Sequence, residues 1–407
     1  GKIIAQKERR LKMNLKNFEN KLHTLAVFHS FYQSPLWVKL SAYFQSQTEE
    51  ELLQSYTDLC AYIYSQGGDL SKIVERFVLD DENYYQLLLH KESGKEDLIE
   101  RSMIRELEIL QQLHDLKGEM LFKDLSYPYE LPSWSNHVAD LKHMYQQRLE
   151  NLNREGYGIF ARYHMFQVNE NGLVPIQYPD PQSLASMTGY EIQRNALIQN
   201  TLAFLKGMKA NNALLYGDAG TGKSSTIKAI VNAYKDEGLR LIEVRKSQIQ
   251  CLPSLIESLA ENPLKFIIFI DDLSFQTGDP DFILMKTILE GGSVASLSNT
   301  IIYATSNRRH LMKESFDDRA GSDIHHNDTI QECASLASRF GLTITFSKPA
   351  KDLYFEIVKG YAKEYDLQLS DSELMIKAEA FALRNNGRSP RTARQFVEHQ
   401  KIVESME

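Results

Sequence analysis

Residues 217–224 read GDAGTGKS, a complete G-x-x-x-x-G-K-[ST] pattern. The apolar run ALLY precedes it at 213–216, and the helix-forming stretch SSTIKAIVNAY continues from Ser224. A strand, a glycine-rich loop and a helix in that order form a cradle for phosphate groups. Gly217, Gly220 and Gly222 let the backbone turn its N–H groups inward without Cβ clashes, and the helix N-terminus adds partial positive charge. Lys223 is expected to reach the β- and γ-phosphates of ATP, and the Ser224 hydroxyl to ligate Mg2+. Asp218, Ala219, Thr221 and Ser225 complete the expected contact set for ATP or ADP.

The surroundings of this loop dictate the fold class. Apolar runs ALLY, LRLIEV (239–244), FIIFI (266–270), TIIYATS (300–306) and LTITF (342–346) alternate with helical patterns. Short continuous apolar runs separated by helices predict βαβ units and a parallel sheet buried on both faces. The run FIIFIDD ends on two aspartates. Its strand would deliver Asp271 at the carboxyl end of the sheet, where parallel sheets bind ligands, as the acid on the Mg2+ side. Asp272 would orient and polarise an attacking water. Capping of the next segment is the alternative use of either aspartate. Aspartate is one methylene shorter than glutamate, and a misplacement of about 1 Å can cost on the order of 10²-fold in rate, so hydrolysis is expected to be slow if placement suffers.

The first 155 residues read as helical. Leu11, Leu15, Phe18, Leu22 and Leu25 recur at helical spacing, Asp69 is placed to cap LSKIVERF, and Ile99, Met103, Leu107 and Leu110 form a second apolar stripe. Tyrosines such as Tyr56, Tyr62, Tyr64, Tyr84 and Tyr85 are expected in the core rather than stacked on bases. YPYELPSW (127–134) should interrupt the helices. Residues 1–22 carry seven Lys/Arg against Glu8 and Glu19, which suits either a helix packed on its own domain or a partner- or nucleic-acid-binding arm. The whole chain has 46 Lys plus Arg against 54 Asp plus Glu, a formal charge of −8, which disfavours coating of nucleic acid or an anionic membrane. Three separated cysteines, Cys60, Cys251 and Cys333, exclude a disulfide scaffold or a CxxC metal site and fit a reducing cytoplasm. No apolar run approaches the roughly 20 residues that span a bilayer. His325 and His326 lack further ligands at metal-binding spacing.

With the phosphate loop and the Asp-Asp pair in place, residues 178–400 resemble an AAA+ ATPase. IIYATSNRRH then implies that Asn307 is the sensor-1 residue, positioning water with Asp272. SLASRFGL (335–342) resembles the box that carries an arginine finger, implying Arg339. A finger acting in trans implies a homo-oligomer. GRSPRTARQF (387–396) resembles the sensor-2 motif of the lid, implying Arg391 at the phosphates with Arg394 as the fallback. SLASMTGYEIQRNALIQNTLAFL (183–205) resembles the segment that leads into the core, with Met187 and Tyr190 lining an adenine pocket.

The Asp-Asp pair and the SRFG box are similar to the initiator and helicase-loader branch. The wider pattern resembles an uncharacterised bacterial AAA+ family that implies a fold and an ATP site but no substrate. The expected organisation is a helical domain at 1–155, a connector with one or two short strands at 156–182, an α/β core with a five-stranded parallel sheet at 183–348, and a helical lid at 349–407. The expected activity is ATP hydrolysis coupled to remodelling of an unknown protein partner. The alternative is a slowly hydrolysing switch that acts as a loader or scaffold for protein or DNA, with nucleic acid not favoured.

Overall fold

A computed structural model of the chain describes residues 15–89, 96–122, 130–170, 172–275, 279–290, 298–307, 336–385 and 387–406. The chain forms two compact units, Gly1–Leu152 with Gly156–Arg162, and Asn153–Glu155 with Tyr163–Glu407.

In the first unit the described residues form helices and the loops that join them. Its longer helices are α1 (Pro35–Gln45), α2 (Glu49–Ser65), α3 (Leu70–Asp80), α4 (Glu96–His114) and α5 (Leu141–Glu150). Local chemistry sets their starts. Ser34 caps α1 ahead of a proline at the first helical position, Thr48 and Glu51 form a capping box on α2, and Asp69 caps α3 by accepting from the Lys72 N–H. Met103, Leu107 and Leu110 of the second apolar stripe are buried in the core with Tyr56 and Leu22. The helix that begins the described chain ends at residue 22, so Leu25 is buried from the turn that follows. The basic residues before position 15 lie outside the described residues. Glu106 is fully buried, and its carboxylate accepts the N–H groups of Ala26, Val27 and Phe28. Three charge-assisted hydrogen bonds offset the desolvation of that anion. Tyr56 is a core residue whose hydroxyl donates to the Pro132 carbonyl at 2.7 Å.

The second unit is built on one sheet. Its strands are β1 (Met165–Asn169), β2 (Gly172–Pro175), β3 (Ala213–Gly217), β4 (Leu239–Val244), β5 (Lys265–Ile270), β6 (Thr300–Ser306) and β7 (Leu342–Phe346). They lie in the order β2-β1-β4-β5-β6-β3-β7, and every neighbouring pair is parallel except β1 with β2. The sheet therefore has seven strands, not the expected five. The two additional strands come from the 156–182 connector. Met165, Phe166 and Gln167 pair with Leu241, Ile242 and Glu243, covering an edge of β4 that would otherwise present unpaired backbone groups. β2 folds back on β1 as a hairpin and forms the new edge.

Among the described residues the longer helices of this unit are α6 (Glu191–Leu205), α7 (Lys223–Tyr234), α8 (Leu252–Ser258), α9 (Pro280–Leu289), α10 (Lys351–Glu364), α11 (Asp371–Arg384) and α12 (Pro390–Met406). The last three pack on one another. Among the described residues no helix is long and apolar enough to cross a membrane.

Strand order positions the site. β4, β5 and β6 lie on one side of β3 and β7 on the other, so the winding direction reverses at β3. In open parallel sheets the crevice at such a reversal, at the carboxyl ends of the strands, receives ligands. The loop that leaves β3 is locked to β7: a Cβ on Gly217 would lie 2.1 Å from the Phe346 carbonyl oxygen, and the residue has φ +138°. Gly217→Ala should therefore lose at least the about 1–3 kcal/mol of a residue forced into a sparsely populated backbone region, before counting the overlap. Denaturant titration checks this, and an unchanged midpoint would mean that the loop can leave β7 freely.

Candidate phosphate-binding site

The register brings three strand ends together. Leu215 pairs with Thr305 between β3 and β6, and Ile270 pairs with Ala304 between β5 and β6. Gly217, Asp271 and Asn307 thus leave adjacent strands at one edge of the sheet. Between β3 and α7 the chain turns through Gly220 at φ +78° and Gly222 at φ +90°, and Gly222 stands at the N-cap of α7. These are left-handed conformations that glycine adopts without steric penalty. Thr221 closes the turn by donating its hydroxyl to the Asp218 carbonyl at 2.8 Å. Asp218 is tied to β7: its N–H donates to the Phe346 carbonyl at 3.1 Å, and its carboxylate accepts the Lys348 N–H at 2.9 Å. Ala219 is exposed at the loop tip, and Ser225 lies in the first turn of α7.

Lys223 is buried, and its ammonium lies inside the loop. Nζ donates to the carbonyls of Gly217 at 2.9 Å and Asp218 at 2.7 Å and to Asn307 Oδ1 at 3.1 Å. Burial lowers its pKa, opposed by the negative charges of Asp218, Asp271 and Asp272. A cation held in a curl of backbone is the arrangement a polyphosphate requires. Ser224 Oγ donates to Asp271 Oδ1 at 2.7 Å, joining the two oxygens expected around Mg2+. Hydroxyl and carboxylate oxygens are the hard donors that suit that ion, so this pair fits it.

Asp272 follows in an unusual backbone state, φ +51° in a non-glycine residue. Such conformations persist only where the surroundings over-determine them. Here the Asp272 N–H donates to Thr305 Oγ1 at 2.9 Å, and Asn307 Nδ2 donates to Asp272 Oδ1 at 2.8 Å. Asn307 therefore bridges Lys223 and Asp272, and Thr305 hydroxyl also donates to Asp271. Thr305 was not foreseen from sequence. Its signal is the period of two along β6, which puts Thr305 and Asn307 on one face.

Helix α12 closes another side of the loop. The Arg391 N–H donates to the Gly220 carbonyl at 3.2 Å, and a Cβ on Gly220 would lie 3.2 Å from Arg391 Cβ. Arg394, nearly one turn on, donates its Nε to Glu398 Oε1 at 2.9 Å. The residues 187–190 run between the loop and α10. A Cβ on Gly222 would stand 3.8 Å from Met187 Cε, and a Cβ on Gly360 of α10 would overlap Thr188. Tyr190 is buried, stacks obliquely near Phe346 at 5.3 Å and donates its hydroxyl to the Ser347 carbonyl at 2.6 Å. Burial raises its phenol to about 12, which keeps it a neutral donor.

Arg339 is not with the others. It precedes β7, whose first residue Leu342 pairs with Ala213 at the start of β3. The loop leaves the far end of β3, about 13 Å away along the strand at about 3.3 Å per residue. Arg339 pairs with Glu290 just beyond α9. His325, His326 and Cys333 lie outside the described residues.

Comparison with solved structures finds a point mutant of RuvB from Thermotoga maritima, 17% identical over 56% of this chain and 66% of that one, with a TM-score of 0.40. The T. maritima RuvB Holliday junction branch migration motor is 17% identical over 54% and 63% of the two chains, with a TM-score of 0.38. The chain thus spans slightly less than two thirds of the RuvB chains it resembles. No curated protein matches the sequence. Residues 159–402 match the family described as "Protein of unknown function (DUF815)". That match covers more than half of the chain, and the protein belongs to the DUF815 family.

Proposed function

We propose that this protein is an AAA+ ATPase that binds Mg-ATP at the Gly217–Ser225 loop and couples its hydrolysis to conformational change in a partner. The observation that carries the reading is the convergence of Lys223, Asn307, Asp271 and Asp272 at the carboxyl ends of three adjacent strands. Loop N–H groups and Lys223 hold the phosphates, with Arg391 adding charge from α12. Met187 and Tyr190 belong to the adenine side. Asp272 and Asn307 orient the attacking water. Mg2+, held by Ser224 and Asp271, neutralises charge on the β- and γ-phosphate oxygens when bound. Arg339 acts across a subunit boundary in a homo-oligomer.

Within the same reading, residues 1–155 are a helical N-terminal domain, 156–182 a connector, 183–348 the core and 349–407 the lid, and the partner is an unidentified protein in the cytoplasm. The Asp-Asp pair supports, within this reading, a position near the initiator and helicase-loader branch. Phosphate release by wild type and by Lys223→Ala tests the site. Removing one preorganised positive contact typically lowers the rate by about 10²–10³-fold, and that drop is expected here. Equal release from both proteins would reject this loop as the source of activity.

The backbone of Asp272 favours a second reading. A short carboxylate in a left-handed conformation, engaged by Asn307, suits a switch that holds ATP and hydrolyses it slowly while acting as a loader or scaffold for protein or DNA. DNA binding under that reading would fall steeply with salt.

A further inference from the structure

The helical unit holds a second chemical centre, formed by Glu75 of α3, His114 at the end of α4 and His137. One ligand-capable atom from each lies within 4.8 Å of the other two. His114 Nε2 stands 3.1 Å and His137 Nε2 2.7 Å from the same Glu75 oxygen, Oε1. The opposite ring nitrogens are both engaged by carboxylates: His114 Nδ1 with Asp115 at 2.7 Å, and His137 Nδ1 with Asp69 at 3.0 Å. Each ring nitrogen of the two histidines faces a carboxylate oxygen, so a neutral imidazole can carry its proton on Nδ1, toward Asp115 or Asp69, and present a lone pair on Nε2. In that tautomer both Nε2 lone pairs and Glu75 Oε1 converge on one point, an arrangement that suits a cation.

The supports are also fixed. Gln111 Nε2 donates to Asp115 at 3.1 Å, and Asp69 is held by its capping bond from the Lys72 N–H at 3.2 Å. The His114 carbonyl accepts from Ser71 Oγ at 2.9 Å and Asn136 Nδ2 at 2.8 Å. Carboxylates that orient metal-binding histidines through the second ring nitrogen are the usual outer supports of such centres.

We propose that Glu75, His114 and His137 bind one zinc-class divalent ion, with a water as the fourth ligand. Two imidazoles and a carboxylate suit Zn2+, whereas Mg2+ and Ca2+ take oxygen donors. Tetrahedral Zn2+ with bonds of about 2.0–2.1 Å sets its ligand atoms about 3.3 Å apart. The observed 2.7 and 3.1 Å contacts open to that spacing by a few tenths of an ångström. His114 is fully buried while the His137 side chain is 38% exposed, so the open position meets solvent on the His137 side. The ion would tie together three stretches that are distant in sequence.

The full chain, stripped by chelator and kept in excess Mg2+ to fill oxygen sites, is titrated with Zn2+ against a chromophoric competitor, and with Co2+ for its visible spectrum. One Zn2+ per chain and a tetrahedral Co2+ spectrum are expected. Asp69→Asn should weaken binding by about 10–100-fold, as loss of an outer support does, and His137→Gln and Glu75→Gln by more. Lys223→Ala should bind as wild type does. Circular dichroism and the metal-free melting midpoint show that the variants are folded; a variant that fails this control is replaced by Asp69→Asn, which leaves all three ligands in place. No stoichiometric binding, or binding untouched by these substitutions, would overturn the proposal and leave a hydrogen-bonded hub.

Discussion

Arg339→Ala should lower ATP hydrolysis by about 10³–10⁵-fold, the usual worth of an arginine finger, and mixing with Lys223→Ala protein should restore part of the activity. The reason is geometric. Arg339 sits before β7, at the opposite end of the sheet from the phosphate loop, and pairs with Glu290 of its own chain. A guanidinium is charged at every accessible pH, so its effect depends on where it is placed. Within one chain it is at the wrong end; from a neighbouring subunit it can face the phosphates. The Lys223→Ala subunit keeps Arg339 and can lend it to an Arg339→Ala subunit whose loop is intact. Steady-state rates across mixing ratios check this. An Arg339→Ala protein as active as wild type, or a mixture no better than its parts, would remove the trans assignment.

Asp272→Asn should lower turnover by about 10²–10⁴-fold, the span of a general-base contribution, while ATP binding persists. This variant separates chemistry from folding. Asparagine tolerates the left-handed backbone that Asp272 adopts at φ +51°. The Asn side-chain carbonyl can still accept from Asn307 Nδ2, and the main-chain bond from residue 272 to Thr305 is unaffected. Only the charge that polarises water is removed. Rates set beside nucleotide retained after gel filtration decide the matter, and an unchanged rate would deprive Asp272 of its role. A variant that retains ATP is also the form with which to capture a partner.

The parts of this molecule that could be read beforehand are those whose chemistry is contiguous. GDAGTGKS carries its own turn glycines, its lysine and its helix start, and FIIFI and TIIYATS are buried on both faces and so read as continuous apolar runs. The short strands MFQVN and GLVP are legible in the connector, but their place in the sheet is not: they are short and half-exposed, and only the pairing of β1 with β4 and of β2 with β1 joins them to it. The period of two puts Thr305 on the face of Asn307, but a threonine in a strand is ordinary until Asp271 and the Asp272 N–H are seen beside it. The Glu75–His114–His137 cluster was invisible for a stronger reason. Its histidines lie 39 and 62 residues from Glu75, and no spacing rule joins ligands that tertiary packing alone brings together.

A single-turnover experiment tests the central claim most directly. Assembled wild-type protein is loaded with limiting radiolabelled ATP and Mg2+, and the bound nucleotide is followed over time. Conversion of the bound ATP to ADP within minutes, slowed strongly by Lys223→Ala, is the predicted result. Bound ATP that survives intact for hours would contradict it and make the protein a nucleotide-held switch.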